Sequence, residues 1–382
     1  MSAHPASSRL LFVDATRGIA MAFVCLSHFG IFYLARSGMR GPADVIARVA
    51  IPATTTFMLV SGAVVGILLG QRETSNVATV EKLVDRGLFL LGPGHLLLRL
   101  AHWQVIAAAP PSSHWLYITD SIGVALIVAA ELVPRTRSAL RQALGVALFA
   151  GCWLAYFDWT PRASFAIMLK DYFIGEEQSA KTGVIFPVLP WLAFYLVATT
   201  LGERIALWRS RQLDMVPRFA RLAAPLLLFA LALHRARHGV SLGPWRVLAG
   251  IGQKYPPSLA YLMFGAGVAL STLGFVAWLE SRNHLSSVLR LFATVGRASL
   301  VVFVAQYFVY YCFFPWLALP ASRLWPLYFV ASLLANLAIA VIWERFLGNK
   351  YLTVGWSWLF GRRRQRQLAS QRHQLLHGSP RD

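Results

Sequence analysis

An all-α bundle of about ten membrane-crossing helices is the fold class this sequence predicts, and three observations carry it. The 382 residues are 57% hydrophobic and only 14% charged, with a mean hydropathy of +0.55, whereas a soluble globular domain carries about 25% charged residues. Apolar runs recur along the chain at the length a helix needs to cross a bilayer, about 20 residues. The basic residues behind the net charge of +20 fall in small groups between these runs rather than on one face, which fits membrane topology and argues against a nucleic-acid partner.

The runs predict crossings over approximately 10–35, 45–70, 83–108, 117–133, 139–157, 185–202, 219–236, 257–279, 290–314 and 325–347. The first follows Arg9 and continues past Tyr33 without a small-residue cleavage site, so it is expected to be a retained helix rather than a cleaved signal peptide. Asp158 to Thr182, which includes Lys170, Asp171, Glu176 and Glu177, is too polar to cross and is expected to be an exposed loop with a short surface helix. More lysines and arginines fall on one set of alternate loops, which predicts that both termini are cytoplasmic. Residues 1–360 are expected to be one transmembrane domain. Residues 361–382, with Arg362, Arg363, Arg364 and Arg366, are expected to be a basic cytoplasmic tail drawn to anionic headgroups.

Within the crossings, polar residues mark the places where chemistry is affordable, since ionisable groups in lipid are costly. Asp14 and Arg17 in the first run share a helical face near its cytoplasmic end, either as an interfacial ion pair or as a site for an anionic ligand. His28 lies eleven residues beyond Arg17, about 16 Å along a helix. An imidazole there can take a proton from a hydroxyl or amine, or carry an acyl group. His95, Arg99 and His102 recur at i, i+4 and i+7 in the third run, as a catalytic face or a polar seam between helices. Pro93 between Gly92 and Gly94 predicts a kink just before them.

Gly62, Gly66 and Gly70 recur every four residues and predict close helix packing, with Ser61 beside them. Asp120 suits a helix N-terminus as a cap. Cys25, Cys152 and Cys312 lie far apart in apolar runs, without metal-ligand or disulfide spacing, so no metal is expected. No nucleophile elbow, phosphate loop, dinucleotide fingerprint or zinc-protease motif accompanies these features.

Read in order, DATRGIAMAFVCLSH, FMLVSGAVVG, DRGLFLL, FPVLPWLAFYLVATTLGE, KYPPSLAYLMFGAG and VGRASLVVFVAQYF resemble the heparan-α-glucosaminide N-acetyltransferase catalytic-domain family of bacterial membrane acyltransferases. The resemblance runs from about residue 9 to about residue 315. It implies an enzyme that moves a small acyl group, most often acetyl, from a cytoplasmic acyl-CoA to a hydroxyl or amine of a glycan or lipid-linked sugar on the far side of a bacterial inner membrane. It implies His28 as the catalytic histidine, and Arg17 as an organiser of the donor side. Arg86, a nearby arginine at the basic cytoplasmic entrance, would join Arg17 in binding the donor phosphates. Lys254, Tyr255 and Ser258 are implied at the outer rim, and His95, Arg99 and His102 are further candidates for substrate contact.

Ser27 stands where many relatives have an acidic residue, and Gln306 where a second histidine is common, so either His28 has another orienting partner, which His95 or His102 could supply, or this member has changed activity. Two readings compete with acyl transfer. One is a transporter or flippase that uses the intramembrane His and Arg, against which no internal repeat is evident; the other is an inactive membrane scaffold. A homo-oligomer is compatible with all three.

Overall fold

The computed structural model describes residues 10–70, 77–103, 106, 115–175, 186–239, 241, 243–320, 322–348 and 352–355. The basic tail expected at 361–382, together with Glu176, Glu177 and Lys181 of the polar loop, lies outside the described residues. Every named element among the described residues is a helix.

Seven helices among the described residues are long and apolar enough to cross a membrane: Leu11–Ala35, Arg40–Leu69, Ser138–Asp158, Val216–Gly239, Leu259–Ser281, Ser299–Leu317 and Trp325–Leu347. The other three expected crossings are helical too, for different reasons less lipophilic. Helix α4 (Val77–Phe89) continues through a π-helical turn, Leu90–Gly94, into α5 (His95–Ala101), and α4 carries Glu81, Lys82, Asp85 and Arg86. Helix α6 (Ile118–Leu132) has 15 residues. Helix α9 (Val188–Ser210) is diluted by Tyr195, Thr199 and Thr200, and it sits in the middle of the bundle with Trp191, Tyr195 and Ile205 fully buried. A helix surrounded by protein needs no lipophilic surface.

Helix α1 (Leu11–Phe29) and α3 (Ala53–Leu69) form the centre with α9. Two crossings are close because glycines permit it. A Cβ on Gly66 would lie 1.9 Å from the Thr199 carbonyl oxygen of α9, and one on Gly202 would lie 1.9 Å from that of Ala63, so the glycine stripe of α3 is the face that meets α9. In the same way Gly296 of α12 (Ser286–Arg297) meets the Asp14 carbonyl of α1.

Helix α7 (Ser138–Asp158), α10 (Val216–Gly239) and α15 (Trp325–Leu347) complete the outside. They expose Val146, Leu154, Leu228, Phe229, Leu334 and Ile342, as a lipid-facing surface requires. Helix α11 (Leu259–Ser281) packs on α10 and α3.

Two sequence boundaries shift. Helix α2 (Arg40–Val49) buries only Ile46 and is separated from α3 by a break at Pro52, whose ring cannot continue the hydrogen-bond ladder. The expected ninth crossing divides at Ala298. Helix α12 before it is amphipathic, burying Leu289, Ala293 and Gly296, and the crossing proper begins with α13 (Ser299–Tyr307) and continues through a π-helical turn, Phe308–Phe313.

The polar loop contains a short helix as expected, α8 (Ser164–Phe173), packed against α9. At the opposite end Arg141 is fully buried and ties α7 to α9 and to the turn that precedes α7. It donates to the Thr136 carbonyl at 2.6 Å, to Thr199 Oγ1 at 3.1 Å and to the Glu203 carboxylate.

Candidate functional site

Three π-helical turns, Gly30–Ala35, Leu90–Gly94 and Phe308–Phe313, adjoin the polar residues that the sequence singles out. Such turns add a residue to the ladder and re-aim the side chains around it, and they concentrate at functional sites. The first follows His28, the second holds Pro93 and ends before His95, and the third follows Gln306 and Tyr307. The kink predicted at Pro93 is therefore a π turn.

His28 on α1 is held by Gln306 on α13. Its Nδ1–H donates to Gln306 Oε1 at 2.6 Å across 278 residues of sequence. The imidazole lies edge-on to Tyr307 and Tyr311, with ring centres at 5.0 and 5.7 Å, and these two tyrosines stack on each other at 4.9 Å. Because Nδ1 carries the proton in this arrangement, Nε2 holds the lone pair.

His95 and His102 hydrogen-bond other groups, and the partner of His28 is Gln306. His95 Nδ1–H donates to both oxygens of Asp120 at 2.9 and 3.0 Å. Asp120 also accepts the Tyr117 N–H at 2.8 Å, so the cap expected of Asp120 exists and has a second duty. His102 is buried and hydrogen-bonds the Tyr117 hydroxyl through Nδ1 at 3.2 Å, with its ring 3.9 Å from that of Tyr311. Both histidines thus belong to an aromatic and acidic cluster next to the His28 tyrosines. Arg99, between them in sequence, is exposed and does not share their inward face. On the surface helix α8, burial raises the Tyr172 phenol above its ordinary value, and the nearby Asp120 carboxylate adds to the effect.

Two cavities flank this arrangement. One, of about 40 Å³, is lined by Val24, Ser27, His28, Ala50, Ala53 and Lys254, among others. The Lys254 ammonium lies over the Phe186 and Tyr255 rings at 5.0 and 5.2 Å, so its charge is held beside the His28 cavity. Tyr255 packs on Phe186 at 5.6 Å and does not line the cavity. Ser258, expected at the rim, is instead the N-cap of α11. Its Oγ accepts the Tyr261 N–H at 3.0 Å and donates to the Gly250 carbonyl at 2.7 Å, which leaves the hydroxyl fully engaged and buried.

The second cavity, of about 110 Å³, is lined by Arg17, Arg86 and Arg297 together with Ser61 and Ser299. The Arg17 guanidinium lies over the Phe57 ring at 5.3 Å, and Asp14 and Arg86 are close enough to act on its charge. Arg297 is held by Glu344 of α15 in a two-pronged pair at 2.5 and 3.0 Å. The chain returns at 352–355 to cover one side: Leu352 and Thr353 line the cavity, and the Val354 N–H donates to Asp85 Oδ1 at 3.1 Å. Ser61 hydrogen-bonds Tyr195 at 3.1 Å. Phe57 and Phe303, with ring centres 6.3 Å apart, line both cavities and form the wall they share.

The arrangement thus offers an arginine-lined chamber, an aromatic partition, and a smaller chamber holding an imidazole nitrogen and an ammonium. Sequence reasoning missed Gln306 as a partner, the Tyr307 and Tyr311 stack, and the Phe57 and Phe303 partition. Only the aromatic run YFVYY around Tyr307 signalled any of these. A family described as heparan-alpha-glucosaminide N-acetyltransferase, catalytic, matches residues 9–234. Curated proteins searched individually give no match. The matched span carries Arg17, His28, Arg86, His95 and His102, while Lys254 and Gln306 follow it.

Proposed function

The chain belongs to the heparan-α-glucosaminide N-acetyltransferase catalytic family of membrane acetyltransferases, and we propose that it transfers a small acyl group, acetyl above all, from a cytoplasmic acyl-CoA to a hydroxyl or amine of an extracytoplasmic sugar. The observation that carries this reading is the pair of adjoining chambers. Arginines line one and His28 and Lys254 line the other, with a single aromatic wall between them.

Arg17 and Arg86 suit the phosphates of CoA, because a planar guanidinium matches phosphate geometry and keeps its charge. With the N-terminus inside, that chamber faces the cytoplasm and His28 lies toward the outer half of the membrane. His28 then serves as the base. Its Nε2 takes the proton of the acceptor O–H or N–H as that oxygen or nitrogen attacks the thioester carbonyl carbon. The negative charge that forms on the carbonyl oxygen is offset by Lys254. When the C–S bond breaks, the CoA sulfur leaves and takes the proton from His28, so that acylated acceptor and free CoA thiol are the products. Gln306 holds Nδ1–H throughout and so keeps the lone pair on Nε2. His95, His102 and Asp120, clustered beside Tyr307 and Tyr311, would contact the acceptor from the outer side.

The partners this implies are acyl-CoA, a glycan or lipid-linked sugar, and the bilayer of a bacterial inner membrane, with both termini cytoplasmic. The reading is tested with purified protein in lipid nanodiscs, given radiolabelled acetyl-CoA and glucosamine as acceptor. Acetylated sugar and an equal amount of free CoA are expected. Tight acetyl-CoA binding without any transfer to a panel of amino and neutral sugars would overturn it.

A further inference from the structure

Phe57 on α3 and Phe303 on α13 are the only described residues that line both chambers. Both are buried, at 6% and 4% exposure. Each ring is held by a neighbour. Arg17 covers one face of Phe57 at 5.3 Å, and Phe303 packs on Tyr307 at 5.4 Å, the ring against which His28 itself rests at 5.0 Å. Displacing Phe303 therefore disturbs the imidazole.

The chamber beyond them is about 40 Å³, while a single water needs about 10–15 Å³ measured in the same way. That is room for a few heavy atoms. The rest of the wall includes the buried Val24, Ala50, Ala53 and Ile118, with the half-buried Ser27, Thr54 and Lys254 beside them. A thioester carbonyl brought to His28 Nε2 carries its acyl tail into this small chamber or back toward the two rings, whose centres are 6.3 Å apart.

We infer that Phe57 and Phe303 are the specificity-determining residues that restrict the transferred group to a short acyl chain. This rests on the acyl-transfer reading above. The reaction itself is unchanged: the same C–S bond breaks, the same acyl bond to oxygen or nitrogen forms, and the proton passes through His28 to the departing thiol. What the two rings set is the chain length that can reach the reacting position.

The experiment is the ratio of kcat/KM for acetyl-CoA, butyryl-CoA and hexanoyl-CoA, with glucosamine as acceptor, in the wild type, Phe303→Leu and Phe57→Leu. A merely structural role would lower all three rates together and leave the ratios alone. Since one methylene in a tight apolar pocket is worth roughly tenfold or more in discrimination, the wild type is expected to prefer acetyl over butyryl by about 100-fold. Phe303→Leu is expected to cut that preference at least tenfold. If Phe303→Leu does not fold, Phe57→Leu carries the same expectation, and Ala50→Val, which fills the chamber, is expected to sharpen the preference for acetyl. Folded, active variants with the wild-type ratio overturn the inference while leaving the acyltransferase reading intact, as does a wild type that uses butyryl and acetyl equally. A wild type that transfers no group from any of the three donors overturns the acyltransferase reading and this inference with it.

Discussion

Replacing Gln306 with leucine isolates the hydrogen bond on which the chemistry proposed for His28 depends. The bond is 2.6 Å long, and Gln306 is fully buried. In the wild type the amide oxygen accepts from Nδ1–H and so keeps the lone pair on Nε2. In Gln306→Leu, which is close in volume, Nδ1–H has no acceptor and the proton is free to move to Nε2, the wrong nitrogen for a base facing the acceptor. Leaving a buried donor unpaired costs about 1–3 kcal/mol, and this is the energy with which Gln306 selects the tautomer. At 1.36 kcal/mol per tenfold, the variant should lose about 5- to 150-fold in kcat. Its KM for acyl-CoA should hold, because the arginine-lined chamber is untouched. The assay is steady-state release of CoA thiol by protein in nanodiscs, with donor affinity measured separately by equilibrium dialysis. Gln306→Asn, one methylene shorter, should be nearly as impaired, since its amide stops short of the ring. An unchanged kcat in Gln306→Leu would refute the assignment of Gln306 as the positioning residue of His28.

Arg17→Leu removes a guanidinium from the chamber proposed to hold the donor, and a lost hydrogen bond to a charged group is worth about 1.5–3 kcal/mol. KM for acetyl-CoA should therefore rise about tenfold or more in initial-rate measurements, with kcat less affected. Arg141→Met leaves Glu203 facing the Thr136, Thr199 and Arg141 site without its cation, and breaking a buried pair from one side costs about 3 kcal/mol. Its melting temperature in detergent should fall clearly, and the double variant Arg141→Met/Glu203→Leu should recover part of the loss.

Much of the bundle is legible from apolar periodicity, because lipid forces every backbone polar group into helices. The glycine stripe of Gly62, Gly66 and Gly70 announces its contact with α9, since only close approach explains small residues at every fourth position. Asp120 announces its cap in the same local way. What is not legible is long-range or apolar. Gln306 meets His28 across 278 residues, and in sequence it reads only as a substitution for histidine. Phe57 and Phe303 are ordinary residues in apolar runs until the fold sets them between two chambers. Ser258 looks like a site residue beside Lys254 and Tyr255, yet the need to cap α11 claims its hydroxyl. The even face predicted for His95, Arg99 and His102 fails at Arg99, which solvation draws outward while Asp120 and Tyr117 draw the histidines in.

The central claim is that His28 removes the acceptor's proton during transfer from a donor held in the arginine-lined chamber. The direct test compares wild type and His28→Ala in proteoliposomes, with labelled acetyl-CoA on the side of Arg17 and glucosamine on the other. The account predicts acetylated sugar from the wild type, and from His28→Ala a loss of at least about 100-fold, the lower range for a general base, with acetyl-CoA binding retained. Turnover by His28→Ala equal to that of the wild type would contradict it.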